Sequence, residues 1–248
     1  MQLFLAEELT LSSLRLPEEE AKHALKVLRH SPGDVLHCID GKGTFYEAEL
    51  IDSQGKTAEL RVLNRSENWH EPPERVGLLF PPLKNRNRLE VLLEKSVELG
   101  VTDLFPTLTA HTERSQFKPE RAQRILVAAT KQCLRSRIPE LHALRPFAEQ
   151  VASFSPGGEL YAAFSTRYLA HCRGAAAFRE QFPPPAGGGC LYAIGPEGDF
   201  SPGEVEQARE AGFRKLQFGE QRLRAETAGL FLLGAHKTAR LLQDGPGW

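Results

Sequence analysis

The chain has 248 residues, 41% of them hydrophobic and 25% charged, an ordinary globular composition long enough for one large domain or two smaller ones. Its formal net charge is −1, so composition alone does not announce a nucleic-acid coat. The four cysteines (Cys38, Cys133, Cys172, Cys190) form no C-x-x-C pair and the histidines show no zinc-ligand spacing, so reduced thiols, no metal and a cytoplasmic location are expected. No apolar run approaches the ~20 residues of a membrane span, and the start, turning acidic at Glu7-Glu8, is unlike a signal peptide.

Residues 1–65 read as a compact β-rich unit. Pro17-Glu18-Glu19-Glu20 opens a helix, because proline suits the first turn and acids suit the positive end of the helix dipole. That helix is expected to run to Arg29 and stop before the turn cluster Ser31-Pro32-Gly33-Asp34. Strand-like runs follow at 35–39, 45–51 and 58–63, separated by Gly41-Lys42-Gly43 and by Ser53-Gln54-Gly55-Lys56 as hairpin turns. Short strands at such close spacing predict a small barrel. The polar, proline-bearing segment 66–74 marks a boundary, which divides the chain into residues 1–70 and 71–248.

From Val76 onward, apolar runs at 76–80, 104–107, 160–164, 190–194 and 216–218 alternate with helical segments, the βα rhythm of a parallel sheet. A helix over 87–99 places Leu89, Leu92, Leu93, Ser96 and Val97 on one stripe, with Gly100 at its C-terminal cap. A second helix is expected over 119–134. Seven basic residues (Arg114, Lys118, Arg121, Arg124, Lys131, Arg135, Arg137) stand against one acid, Glu120, in this region. They are either a solvated helix face or a strip that attracts phosphates. The proline- and glycine-rich segment 183–189 reads as an exposed connection. Ser201-Pro202-Gly203-Glu204 has the cap, the first-turn proline and the acid of a capping box, and its helix ends at Gly212. The last helix starts near Glu226 and carries Ala228, Gly229, Gly234 and Ala235, small residues that serve core packing or a contact with a second subunit.

Two loops carry the chemistry. Gly195-Pro196-Glu197-Gly198-Asp199-Phe200-Ser201 leaves an apolar run and enters a helix. Its glycines let a ligand approach the main chain and its proline stiffens the turn. There is no phosphate-binding glycine motif anywhere, and Glu197 and Asp199 would repel a polyphosphate while tolerating a positive centre. The second loop, Phe218-Gly219-Glu220-Gln221-Arg222-Leu223-Arg224-Ala225-Glu226, again joins a strand to a helix. Arg222 and Arg224 would grip a phosphate or a base carbonyl, or pair with Glu220 or Glu226.

Ile194-Gly195-Pro196-Glu197-Gly198 with Phe200-Ser201, and Leu223-Arg224-Ala225-Glu226-Thr227-Ala228, resemble the paired C-terminal signatures of the ribosomal RNA small subunit methyltransferase E family. Glu94-Lys95-Ser96-Val97-Glu98-Leu99-Gly100-Val101, Gln132-Cys133-Leu134-Arg135 with Ile138-Pro139-Glu140, and His23 with Val27-Leu28-Arg29 and Gly33 are similar to further family segments. The resemblance implies an α/β fold: a C-terminal SPOUT methyltransferase domain with a parallel sheet and a trefoil knot, plus an N-terminal PUA-like RNA-binding β-barrel. It implies a homodimer, S-adenosylmethionine as cofactor, and methylation at N3 of one uridine in 16S ribosomal RNA of the small subunit. The chain departs from the family pattern at Lys131, Asp199, Gln221 and Arg222.

On this reading Ile194, Gly195, Pro196, Glu197, Gly198, Phe218, Gly219, Leu223, Arg224 and Ala225 hold the cofactor, with Phe164 counted in the same shell. Arg224 orients the uracil or its phosphate, and Glu197 or Glu226 accepts the proton. Lys22, Arg29, Arg114 and Arg135 are the RNA-phosphate contacts. Three other readings compete: a noncatalytic RNA-binding assembly factor, a SPOUT enzyme acting on transfer RNA or another ribosomal position, and a nucleotide-dependent oxidoreductase, against which the missing phosphate loop argues.

Overall fold

The computed structural model describes residues 1–53, 56–171, 176–177, 182–185 and 187–243. The expected turn at Gln54-Gly55, Cys172 and Ala186 of the 183–189 connection lie outside them. The chain packs as two units: Met1–Glu71 with Val127–Ile138, and Pro72–Leu126 with Pro139–Trp248.

The first unit is a six-stranded sheet of β1 (Leu3–Leu5), β2 (Glu7–Thr10), β3 (Ser13–Leu16), β4 (Val35–Ile39), β5 (Thr44–Asp52) and β6 (Ala58–Glu67), in the order β1-β4-β5-β6-β3-β2. Only β1–β4 is parallel. Ala6 alone separates β1 from β2, yet these strands are the two ends of the order, so the sheet must curl until its edges meet. The period-2 pattern fixes which face goes inside: Tyr46, Ala48 and Leu50 are buried while Glu47 and Glu49 stay partly exposed. Phe4, Leu14, Leu16, Leu36, Cys38 and Leu60 complete that core. Ala21 and Ala24 reach it from α1 (Glu18–Lys22) and from the π-helical turn His23–Val27 that continues it. The helix stops short of Arg29, which turns back at φ 61°. β1 to β3 were not anticipated, because none exceeds four residues and β2 is exposed along its length.

The second unit holds β7 (Val76–Phe80), β8 (Asp103–Leu108), β9 (Glu140–Leu141), β10 (Arg145–Pro146), β11 (Thr166–Ala170), β12 (Ala176–Ala177), β13 (Cys190–Ala193) and β14 (Arg214–Gln217). Their order is β10-β8-β7-β13-β11-β14-β12, with β9 also on β8, and every pair is parallel. β7, β11 and β13 are buried at every residue, as strands of a parallel sheet covered on both faces are. The helices are α2 (Arg86–Glu98), α3 (Pro119–Gln132), whose end from Val127 packs with the first unit, α4 (Phe147–Ala152), α5 (Pro202–Glu210) and α6 (Ala225–Gln243). Asn85 caps α2, and Ser201 with Glu204 forms the expected capping box on α5.

The run 160–164 is not a strand but a series of turns, and the strand is Thr166–Ala170. Arg167 breaks the apolar pattern there. It is buried because its guanidinium donates to the Tyr161 carbonyl at 2.7 Å and lies 4.7 Å from the Tyr161 ring. Burial also pushes the Cys38 and Cys190 thiols up to about 12, which leaves both inert.

Candidate functional site

Three neighbouring parallel strands deliver the site. β11 passes into His171, β13 into residues 194–200, and β14 into 218–224 ahead of α6. β11 lies between β13 and β14, so their carboxyl ends sit side by side, which is where open parallel sheets bind ligands. The loops enclose a cavity of about 710 Å³, within the range that holds a small molecule. Ile194, Gly195, Pro196, Glu197, Gly198, Phe218, Gly219, Leu223, Arg224 and Ala225 all line it.

The first loop is held from several sides. The Asp199 N–H donates to the Pro196 carbonyl at 2.9 Å and closes the turn. Asp199 has φ 62°, a left-handed conformation that aspartate tolerates better than most residues. Its carbonyl accepts from His111 Nδ1 at 2.8 Å, and its carboxylate accepts from the Phe200 N–H at 2.8 Å. His171 Nδ1 stands 3.0 Å from the other carboxylate oxygen, at ion-pair distance but not aligned as a hydrogen bond. Gly198 makes a close approach: a Cβ there would lie 3.0 Å from the His111 Cβ, so a larger residue would have to push His111 aside. In the second loop Gly219 has φ 81° and its carbonyl accepts from Gln217 Nε2 at 3.2 Å.

Arg222 and Arg224 are exposed, and neither meets a carboxylate among the described residues. The alternative pairing with Glu220 or Glu226 does not form. Glu226 instead faces Arg88 Nε from α2 at 3.5 Å. The walls therefore carry both signs: Arg88, Arg222 and Arg224 against Glu197, Asp199 and Glu220. That balance, with main-chain groups between, suits a ligand bearing both a cationic centre and a carboxylate. It suits a polyphosphate poorly.

Two expectations are corrected. Phe164 is away from the cavity. It is fully buried among Phe105 and Phe154, with ring centroids 5.9 Å from each, and Gly77 packs on it, so it has no surface to offer a cofactor. Arg135 is only 4% exposed and donates to Glu71 at 2.7 Å, so it is a structural ion pair and not a phosphate contact. Lys22 and Arg29 are exposed and Arg114 is partly so. Within the basic strip, Arg121 is taken up by Glu90 and Lys131 by Glu20. Arg88 and His171 were missed. A stripe search reads only the apolar face of α2, and the displaced strand hid the fact that His171 ends β11. Asp103, Glu140 and His142 also converge, but the Arg75 guanidinium already occupies the Asp103 carboxylate, so the cluster is an ion-pair network.

A curled β unit and a parallel sheet with a main-chain pocket at its carboxyl edge place the chain in the class of two-part α/β ligand-binding proteins. The family model described as RNA methyltransferase domain matches residues 70–237, and the one described as RNA methyltransferase PUA domain matches 16–63. A probable rRNA-methyltransferase from Porphyromonas gingivalis superposes with a TM-score of 0.84 at 33% identity, covering 98% of this chain and 100% of that one. A ribosomal RNA small subunit methyltransferase E from Neisseria gonorrhoeae, bound to S-adenosyl methionine, gives 0.82 at 29% identity, covering 96% and 97%. The ribosomal RNA small subunit methyltransferase E of a Synechocystis strain is 29% identical over 224 residues, 90% of this chain and 72% of that protein. The chain belongs to the ribosomal RNA small subunit methyltransferase E family.

Proposed function

We propose that this protein transfers the methyl group of S-adenosylmethionine to N3 of one uridine in 16S ribosomal RNA of the small subunit. The observation that carries the reading is the cavity of facing turns, 194–199 and 218–225, whose mixed-charge, main-chain lining fits a sulfonium amino acid. S-adenosylmethionine supplies the electrophilic methyl.

The protein's own groups do the rest. The rigid turn about Pro196 and Gly198 and the Gly219 turn present main-chain donors and acceptors to the adenosine. Arg224, exposed and without a carboxylate partner among the described residues, is free to grip the uracil or its phosphate. Uracil N3 is hidden in a Watson–Crick pair, so the target base must be unpaired when it enters. Its proton must leave as the methyl arrives. Glu226 is engaged by Arg88, which leaves the exposed Glu197 as the better-placed acceptor. Holding N3 in line with the methyl supplies most of the remaining help.

Lys22, Arg29 and Arg114 are proposed as phosphate contacts. We infer a homodimer from the exposed Val91 and Phe231 on α2 and α6, and from Gly234, beside which an added Cβ would meet open space. The trefoil knot, the 70/71 functional boundary and a cytoplasmic location belong to the same proposal. Mass spectrometry of 16S ribosomal RNA from cells lacking the protein tests it. Loss of one N3-methyluridine, restored by the wild-type gene, is expected. An unchanged methylation pattern would remove the assignment.

A further inference from the structure

The turn between β6 and residue 71 is built in an unusual way. Trp69 is flanked by two non-glycine residues in the left-handed region, Asn68 at φ 52° and His70 at φ 56°. Such residues are strained and persist only where the surroundings force them. The forcing groups are visible. The buried Glu71 carboxylate accepts from the N–H of Ser136 at 3.0 Å and of Arg137 at 2.8 Å, and from Arg135. Ser136 Oγ donates to the Trp69 carbonyl at 2.8 Å. His70 Nδ1 lies 3.0 Å from the Leu134 carbonyl, so that nitrogen carries the hydrogen.

This frame holds four rings in one continuous stack. His37 and Phe45 are 5.7 Å apart at 18°, Phe45 and Trp69 4.6 Å at 17°, and Trp69 and His70 4.5 Å at 27°. Phe45 is buried, His37 and Trp69 are partly buried and His70 is exposed, so the stack is anchored at Phe45 and its most open end is the His70 imidazole. The Trp69 indole Nε1 is buried without a hydrogen-bond partner among the described residues, an uncommon state for a donor. Beside the turn lies Arg137. Its guanidinium packs over Gly43, where a Cβ would come within 2.5 Å of Nη2, and meets the neutral Asn68 Oδ1 at 3.4 Å. The exposed Lys42 pairs with Arg137 through an isolated bridge. Neither cation has an ion-pair partner among the described residues, while Glu67 is taken up by Arg65.

We propose that His70, at the exposed end of this stack, is a platform on which an unpaired base of the RNA substrate stacks, with Arg137 and Lys42 receiving the adjoining phosphates. The chemistry is that of single-strand recognition: a π-face for any base, rigidly presented, with cations beside it for the backbone. The inference rests on the reading of the protein as an RNA methyltransferase, but its test does not require turnover.

In a Trp248→Phe background Trp69 is the sole tryptophan. A short unpaired RNA oligonucleotide should quench its emission saturably. His70→Ala should weaken that binding by roughly tenfold, and His70→Phe should restore it to within about twofold. Parallel methylation assays on 16S ribosomal RNA should show the same rise in KM for RNA with kcat and S-adenosylmethionine affinity unchanged. Unchanged donor affinity also reports that the variants are folded. Quenching that is absent in the Trp248→Phe protein, or equal in the His70→Ala protein, overturns the platform. If the wild type binds the oligonucleotide as described yet transfers no methyl group to ribosomal RNA, the enzyme reading falls and the base platform stands.

Discussion

Asp199 is one of three cavity-lining residues, with Gln221 and Arg222, that the sequence reading sets apart from the family pattern, and its backbone explains how an aspartate is accommodated there. At φ 62° the position favours glycine, and the aspartate recovers part of the cost through the Phe200 N–H and the neighbouring His171. Asp199→Gly should therefore keep the turn and change donor affinity by less than about threefold in calorimetry. Asp199→Val, which resists this conformation, should cost about 1–2 kcal/mol and weaken the donor by roughly tenfold. Arg224 separates binding from chemistry. Arg224→Ala should lower kcat/KM for methyl transfer on the order of 10²-fold and leave the donor dissociation constant within about threefold. Equal losses of both would move Arg224 into the donor site. At this scale the two loops were legible because glycine, proline and arginine are rare in such clusters. Phe164 and Arg135 were misread because neither burial nor an ion-pair partner 64 positions away is written in the local sequence.

Elements were legible where one local rule decided them. α2 and α5 carry their own caps, and β7 and β13 are unbroken apolar runs. β11 was misplaced by six residues at its start because its second residue, Arg167, pairs with Tyr161 only after folding. The small residues of α6 prove to serve different ends. A Cβ on Gly229 would come within 3.0 Å of Leu92 and 3.1 Å of Ile194, so this glycine lets α6 lie against α2 and the first loop, whereas Gly234 faces open space. Gly77 on β7 is tighter still, since a Cβ there would stand 2.7 Å from Leu191 and 2.9 Å from Phe164. Gly77→Ala should destabilise the fold by about 1–3 kcal/mol, read as a lower denaturant midpoint with an unchanged slope. A change below about 0.5 kcal/mol would mean that the sheet yields more easily than its packing implies.

At the scale of the molecule, the last helix is tied to the start of its own unit by a buried polar chain. The Tyr192 hydroxyl stands 2.9 Å from His236 Nδ1, His236 Nε2 is 3.1 Å from Glu74, and Glu74 also takes Arg240. Burial first, and then Arg240, lowers the His236 pKa to about 4. The Glu74 carboxylate pulls the other way, but its oxygen is shared with Arg240, and a neutral imidazole suits both neighbours: Nδ1 accepts from Tyr192, while the Nε2–H faces Glu74 at 3.1 Å. In the unfolded chain the same group titrates near 6.5 and takes up its proton first as pH falls. Its contribution to stability is therefore full above about pH 6.5 and lost toward pH 4, by about 3 kcal/mol. His236→Gln should flatten that part of the stability–pH profile. A wild-type profile already flat between those values would contradict the buried neutral histidine.

The central claim is that the facing turns at the carboxyl edge of the parallel sheet bind a methyl donor, and titration calorimetry of the folded protein with S-adenosylmethionine tests it most directly. Saturable binding of about one donor per chain, weakened roughly tenfold by Asp199→Val in a protein that keeps its circular dichroism, is the predicted result. No binding, or binding that Asp199→Val leaves untouched, would contradict it.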